Sequence, residues 1–186
     1  AKKIGDRSKT LKGLVKFSMV NSMVSKINKK QQSLLKNGYQ SSGNIFLINE
    51  EPIQRVKSII SEAIESYKVK YEKYGATLIS EWPDKFTLYG WIIVMSKGGS
   101  LGGHMHKEGW LSGAIYLKRP DKMGKDDGDI IFSLHGSNYP DIGNSIRNET
   151  VPINKGDIVL FPSSLFHATI PFSSDESRIT LAFDII

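Results

Sequence analysis

The stretch GDIVLFPSSLFHATIPFSSDESRITLAFDI, residues 156–185, decides the fold class of this chain. It holds three short runs rich in β-branched and aromatic residues, near 157–162, 165–170 and 177–185, with turn residues between them. Similar runs recur toward the N-terminus, near 77–82, 86–96, 101–107, 111–118, 129–134 and 148–153. About eight or nine short strands of this kind predict a mainly β fold of the jelly-roll class.

Two helical segments precede the β-rich region. Apolar residues within 11–35 recur at spacings of three and four with lysines between them, which predicts an amphipathic helix, continuous or in two pieces. A second helix is predicted from residue 50 onward, with a stop near Gly75. We therefore expect an α+β chain with a basic helical N-terminal segment, residues 1–43, and a β-rich domain, residues 44–186.

The positive charge is concentrated in the N-terminal segment. The chain has a net charge of +6, yet residues 1–38 hold ten Lys or Arg against the single Asp6, which leaves −3 for the remainder. Such a segment could approach nucleic acid, an anionic membrane or an acidic partner, but we interpret it as a solvated helix face. We predict no nucleic-acid partner for the β-rich body, whose charge is slightly negative.

Composition excludes several kinds of site. The chain has no cysteine, so disulfides, thiolate catalysis and zinc–thiolate sites are excluded, and any metal must be held by His, carboxylate or carbonyl ligands. No uninterrupted apolar stretch approaches the roughly 18 residues that span a membrane. We expect a soluble, cytoplasmic protein, because a chain without cysteine suits a reducing compartment.

Three of the four histidines form a candidate metal site. His104 and His106 follow a Gly-rich turn, and residues i and i+2 of a strand face the same side. His167 lies on a distant predicted strand that a jelly roll can bring beside them. Three imidazoles suit iron, copper or zinc. We interpret the fourth histidine, His135, as an ordinary surface or core residue.

A candidate anion clamp follows His167. Arg178 comes eleven residues later, across a hairpin turn, so its guanidinium lies on a neighbouring strand and can bind a carboxylate through two hydrogen bonds. Thr180 shares its strand face and could donate its hydroxyl to the same carboxylate. A lone arginine would ordinarily be interpreted as a surface ion pair, but beside a metal ligand it suggests a cosubstrate site.

Three motifs resemble a known family. The stretches GWLSGAIYL (109–117), GDIVLFPSSLFH (156–167) and RIT (178–180) look like those of iron(II)- and 2-oxoglutarate-dependent oxygenases. The likeness is to a bacterial and phage branch often linked to tetratricopeptide repeats and, more distantly, to prolyl hydroxylases, and it covers about residues 45–186. It implies a cupin-like double-stranded β-helix with Fe(II) as cofactor, O2 and 2-oxoglutarate as cosubstrates, and substrate oxidation coupled to decarboxylation.

The resemblance also implies roles for individual residues. The catalytic metal ligands would be His104, His106 and His167. Arg178 would clamp the far carboxylate of 2-oxoglutarate, with Thr180 and Tyr116 as supporting donors.

The ligand set departs from the common His-x-Asp pattern with a distant histidine. His106, Glu108 and His167 would restore two histidines and one carboxylate, so Glu108 is an alternative ligand. We prefer the set with His104, since residues 107–109 look like the start of a turn. Replacing a carboxylate by an imidazole makes the metal site one unit more positive.

Two other functions fit the same residues. One is a cupin-like three-histidine enzyme that uses no 2-oxoglutarate, and the other is a non-catalytic binding module whose basic arm recruits a partner. For the oxygenase, the unknown substrate is a protein, a peptide or a small molecule, and repeat-linked relatives make a protein side chain attractive by analogy.

Overall fold

The secondary structure is mainly β, with helices near the N-terminus. The computed structural model describes residues 2–3, 17–136 and 148–186. Its helices are α1 (Phe17–Ser25), α2 (Glu51–Glu72) and α3 (Thr77–Ser80). Its strands are β1 (Lys2–Lys3), β2 (Lys29–Lys30), β3 (Leu35–Ser41), β4 (Leu88–His104), β5 (Leu111–Lys118), β6 (Ile130–Ser133), β7 (Glu149–Val151), β8 (Ile158–Pro162), β9 (Phe166–Thr169) and β10 (Arg178–Ile185). None of the helices described is long and apolar enough to cross a membrane.

Antiparallel pairing joins the strands into one curled sheet. Its order is β1-β8-β5-β10-β4-β9-β6-β7, and the β2–β3 hairpin joins it through β4. Strand β4 belongs to both halves, because its first part pairs with β10 and its end pairs with β9. Gly98, with φ of +71°, lies between these parts in a conformation that other residues rarely adopt. The curl confirms the predicted double-stranded β-helix.

The central strand β10 separates a helix-packed core from the interior of the curled sheet. Its odd-numbered residues, Ile179 to Ile185, are buried against apolar residues of α2 such as Ile53 and Ile60. Full burial of each such side chain contributes about 1.5–3 kcal/mol. The even-numbered residues face the opposite side of the sheet, because side chains alternate along a strand. That interior side carries the polar residues of the site.

The structure differs from the predicted elements in three places. Helix α1 ends at Ser25, and the rest of the segment that spacing predicted to be helical contains coil, strand β2 and the start of β3. Pairing of β3 with β4 overrides the helical spacing there. The predicted strand at 77–82 is the short helix α3, and the predicted strands at 86–96 and 101–107 are one strand. The start of the predicted first helix, at 11–16, lies outside the described residues.

Candidate active site

Three histidines converge at one edge of the interior. His104 ends β4 and is the register partner of His167 on β9, while His106 lies in the coil just after β4. The ring centroids are 4.3 to 5.1 Å apart. One ligand atom of each ring lies within 4.8 Å of the others, which is close enough for all three to hold one ion. No other group of three His or acidic residues this close occurs in the described part of the chain.

Each histidine is oriented through its Nδ1 atom. The Nδ1–H groups of His104 and His167 donate to backbone carbonyls two residues earlier, at 2.8 and 3.1 Å. The Nδ1 of His106 lies 2.7 Å from Oδ1 of Asp184. Carbonyl and carboxylate oxygens accept hydrogen bonds, so the ring proton sits on Nδ1 and the lone pair of Nε2 is available to a metal.

Burial keeps two of the histidines neutral. Desolvation and, to a smaller extent, the neighbouring His104 together lower the pKa of His167 to about 3, against the opposing hydrogen bond to the Leu165 carbonyl. Desolvation also lowers the pKa of His104, against the hydrogen bond to the Gly102 carbonyl. Neutral imidazole is the form that binds a metal, so nitrogen ligands of this kind fit Fe(II).

Arg178 is a buried cation that forms no ion pair among the described residues. It is 2% exposed, its Nε has no hydrogen-bond partner, and its Nη1 meets the sulfur of Met95 at 3.8 Å. The guanidinium lies over the Tyr116 ring, with Cζ 5.0 Å from the ring centroid. Burial lowers the pKa of Arg178. Because a buried charge is costly unless paired, this side chain is suited to an anionic ligand.

Thr180 and Tyr116 lie beside Arg178. They are register partners across β10 and β5, and Oγ1 of Thr180 is buried without a hydrogen-bond partner among the residues described. Burial raises the pKa of Tyr116 to about 12, although Arg178 opposes the shift, so its hydroxyl stays protonated. A guanidinium and two nearby hydroxyl groups can together hydrogen-bond a carboxylate.

One cavity contains both groups of residues. Its volume is about 240 Å³, and its lining includes the three histidines, Arg178, Thr180 and Tyr116. Apolar side chains complete the wall: Ile93, Leu101, Ile130 and Phe161. An apolar wall with a few convergent polar groups is typical of a small-molecule site.

The sequence matches a family model over much of this region. The model described as "Putative 2OG-Fe(II) oxygenase" matches residues 89–184, which is more than half of the chain. The chain belongs to this oxygenase family. It is therefore an Fe(II)- and 2-oxoglutarate-dependent enzyme, as the motifs predicted. No curated protein sequence matches the oxygenase.

Solved structures share its fold at low sequence identity. A prolyl-4-hydroxylase of Pseudomonas putida is 12% identical, with a TM-score of 0.57 over 90% of this chain and 85% of that one. A Trichoplax adhaerens prolyl hydroxylase in complex with a hypoxia inducible factor peptide is 13% identical, with a TM-score of 0.59, over 98% and 80%. HygX of Streptomyces hygroscopicus, with nickel, 2-oxoglutarate and hygromycin B bound, is 13% identical, with a TM-score of 0.51, over 92% and 79%.

The alternative ligand Glu108 and the fourth histidine, His135, lie outside the histidine group of the oxygenase. Glu108 is exposed in the turn after His106, and its carboxylate is not among the grouped ligand atoms. His135 follows β6 and is likewise outside the group.

The sequence did not single out several residues around the three histidines. Asp184 contacts His106, and Ser112 donates to Asp184 at 2.6 Å. Trp91 lines the cavity, with its ring centroid 5.5 Å from that of His106. Strand parity contained a signal for Asp184, because it lies an even number of residues after Arg178 on the same strand.

Proposed function

We propose that this oxygenase couples oxidative decarboxylation of 2-oxoglutarate to oxidation of a C–H bond in a peptide or small-molecule substrate. In this assignment, His104, His106 and His167 hold Fe(II) through Nε2, and Arg178 binds the far carboxylate of 2-oxoglutarate. The buried, unpaired guanidinium of Arg178 carries the assignment, because it shares a cavity with three converging histidines. A cation-binding site beside a carboxylate-binding site suits a dicarboxylate that also contacts the metal.

The proposed reaction consumes O2 and 2-oxoglutarate and releases CO2 and succinate, with one oxygen atom going to succinate and the other to the substrate. Bound Fe(II) would supply the oxygen activation that side chains cannot provide. Arg178, Thr180 and Tyr116 fix the far carboxylate and so set the orientation of the cosubstrate. The apolar wall keeps bulk water from the reacting groups.

The primary substrate would reach the histidines past Trp91 and Gln40. Both residues line the cavity and also a neighbouring hollow of about 270 Å³, whose other lining residues include Lys30, Ser42 and Tyr89. The hollow offers aromatic and hydrogen-bonding groups to a substrate larger than the cavity itself. Among the similar folds, one enzyme was solved with a peptide and another with hygromycin B, and a peptide or a polar small molecule is the class we propose here.

The decisive experiment measures succinate formed from 2-oxoglutarate by the purified protein with Fe(II) and air. His167→Ala should abolish succinate formation, while His135→Ala, which changes a histidine outside the group, should retain it. Arg178→Ala should also abolish it, with the exposed Arg55→Ala as its matched control. Absence of succinate from the iron-loaded wild type refutes the proposal. Undiminished succinate formation by Arg178→Ala would show that another group binds the far carboxylate of 2-oxoglutarate. Absence of succinate from a wild type that binds Fe(II) instead favours a three-histidine enzyme that uses no 2-oxoglutarate.

The substrate route has a separate test. Succinate formation can be measured with and without fractions of a peptide library or a metabolite mixture, since a true substrate accelerates turnover. Ser42→Trp should fill the hollow because Ser42 is exposed on its lining. We expect this variant to keep the basal rate and lose the acceleration. Full acceleration in Ser42→Trp would show that the substrate approaches from another side.

A further inference from the structure

A buried hydrogen-bond network lies behind one of the three histidines. Nδ1 of His106 is 2.7 Å from Oδ1 of Asp184, which also accepts from the Ser112 hydroxyl at 2.6 Å. Ser112 in turn lies 2.8 Å from the hydroxyl of Ser163. Asp184, Ser112 and Ser163 are all buried. The network is therefore a fixed part of the interior.

The backbone is shaped to enclose this network. Asp184 and Ser112 face each other as register partners on β10 and β5. The chain passes over them at Gly109, where an added Cβ would lie 2.5 Å from Oγ of Ser163 and 3.3 Å from Cγ of Asp184. A contact of that length excludes any larger residue at position 109 without movement. The glycine allows the backbone to cover the carboxylate.

Asp184 has no Lys or Arg partner in the described part of the chain. Its hydrogen-bond partner on that side is His106, whose side chain is 15% exposed against 11% for Asp184. The other two histidines donate to neutral backbone carbonyls, so the carboxylate distinguishes His106 from them. A buried carboxylate needs compensating positive charge, and a cation on the far side of the His106 ring would supply it.

We propose that Asp184 is a positioning residue. From behind the imidazole of His106, it supplies the negative charge that a three-histidine centre lacks because none of its ligands is a carboxylate. This inference rests on the proposed function. Asp184 holds His106 with Nε2 toward the metal and strengthens that ligand through its negative charge. Carboxylates that orient ligating histidines commonly affect metal affinity by about 10- to 100-fold. Ser112 and Ser163 hold Asp184 in its orientation.

The test measures Co(II) affinity of the metal-free protein by anaerobic titration. Asp184→Asn retains the shape and removes the charge, so the dissociation constant should rise by about 10- to 100-fold. Asp157→Asn is the matched control, because it makes the same change at a buried aspartate whose carboxylate accepts from a turn amide instead. We expect the control to bind Co(II) like the wild type.

A spectroscopic measurement separates positioning from general structural support. In the Co(II)-loaded protein, the Nδ1 protons of the ligating histidines give separate hyperfine-shifted NMR signals. Asp184→Asn should move the signal of His106 and leave the other two in place. If all three signals and the affinity match the wild type, Asp184 plays no part in the metal centre.

Two further outcomes remain decisive. If Asp184→Asn does not fold, Ser112→Ala takes its place, because it keeps the charge of Asp184 and removes the hydrogen bond that this carboxylate accepts, together with the 3.0 Å contact between the Ser112 hydroxyl and Nδ1 of His106. Ser112→Ala should weaken Co(II) binding by less than Asp184→Asn would, and wild-type affinity in this variant overturns the inference. A wild-type protein that binds no Co(II) overturns the proposed function together with this inference. Wild-type binding with an unaffected Asp184→Asn variant overturns the inference alone.

Discussion

Replacing Arg178 by methionine should weaken 2-oxoglutarate binding without destabilising the metal-free protein. The guanidinium is 2% exposed, and burial lowers its pKa, which means that the charged form is disfavoured where it stands. Exchanging buried charges for apolar groups of similar volume is often neutral or stabilising by about 1–4 kcal/mol. The exchange also removes the contact with the Tyr116 ring, worth up to about 2 kcal/mol. The net expectation is a free energy of unfolding that is unchanged or higher by about 2 kcal/mol.

The same substitution should reduce cosubstrate affinity strongly. Truncating one partner of a buried, hydrogen-bonded charge pair costs about 2–5 kcal/mol. At about 1.4 kcal/mol for each factor of ten, the dissociation constant of 2-oxoglutarate should rise by about 30- to 5,000-fold. A general loss of structure would lower both the stability and the affinity for 2-oxoglutarate, whereas this substitution should lower the affinity alone.

Two measurements check this pair of expectations. Urea unfolding followed by tryptophan fluorescence gives the stability of the metal-free protein. Calorimetric titration of the Mn(II)-loaded protein without oxygen gives the affinity for 2-oxoglutarate. Arg55→Met on the exposed face of α2 is the control, and both quantities should stay near wild type. A variant at Arg178 that loses more than about 1 kcal/mol of stability and keeps its affinity would refute the reasoning.

Three other expectations concern stability. Burial lowers the pKa of His167 to about 3, so below its ordinary value of 6.5 the unfolded chain binds a proton that the folded chain does not. The free energy of unfolding of the metal-free protein should therefore fall from about pH 6.5 toward pH 3, by up to about 1.4 kcal/mol per pH unit, and His167→Asn should reduce the slope. Gly113→Ala should cost about 1–3 kcal/mol in urea unfolding because its Cβ would meet Phe183 and Leu160, whereas Gly103→Ala meets open space and should not. Co(II) at 100 times its dissociation constant should raise the free energy of unfolding by about 2.7 kcal/mol, and His167→Ala should remove this gain.

Most strands of the β-rich region could be predicted from local sequence. The predicted strand at 111–118 matches β5, and those at 157–162 and 177–185 match β8 and β10 to within one residue. β-branched and aromatic runs bounded by turn residues define such strands locally. Strand β4 was divided in the prediction because Gly98 and Gly99 read as a turn, yet pairing with β10, β3 and β9 keeps it continuous.

The first strands could not be predicted in the same way. The helix predicted from apolar spacing within 11–35 overlaps β2 and the first residue of β3, whose strand conformation depends on pairing with each other and, for β3, with β4, far away in the sequence. Gln40 of β3 lines the cavity for that reason. Nothing in the local sequence around Gln40 indicates that it belongs to the site.

The candidate site likewise contains residues that local sequence indicates and residues that only long-range pairing brings together. Their spacing of two residues made His104 and His106 candidate ligands, and the same spacing placed Arg178 and Thr180 on one face of a predicted strand. Asp184 has the same parity, but a single acid near a C-terminus carries no local sign of a histidine partner. That partnership arises only when β4 and β10 lie side by side and the coil after β4 turns back over them.

The charges at the two ends of the proposed site, Arg178 at one and the metal with Asp184 at the other, should sum to zero once Fe(II) and 2-oxoglutarate are bound. Fe(II) carries two positive charges and 2-oxoglutarate two negative ones, so these ligands leave the positive charge of Arg178 unbalanced. In the common pattern, a carboxylate ligand on the metal balances it. Three histidine ligands would not supply that negative charge, and in the proposed site Asp184, 2.7 Å from Nδ1 of His106, would supply it from behind the imidazole ring. A buried cavity strongly disfavours net charge, so the exchange of a carboxylate ligand for a histidine requires a compensating acid nearby. On this reasoning, the His-x-His pattern and the buried Asp184 are two parts of one site.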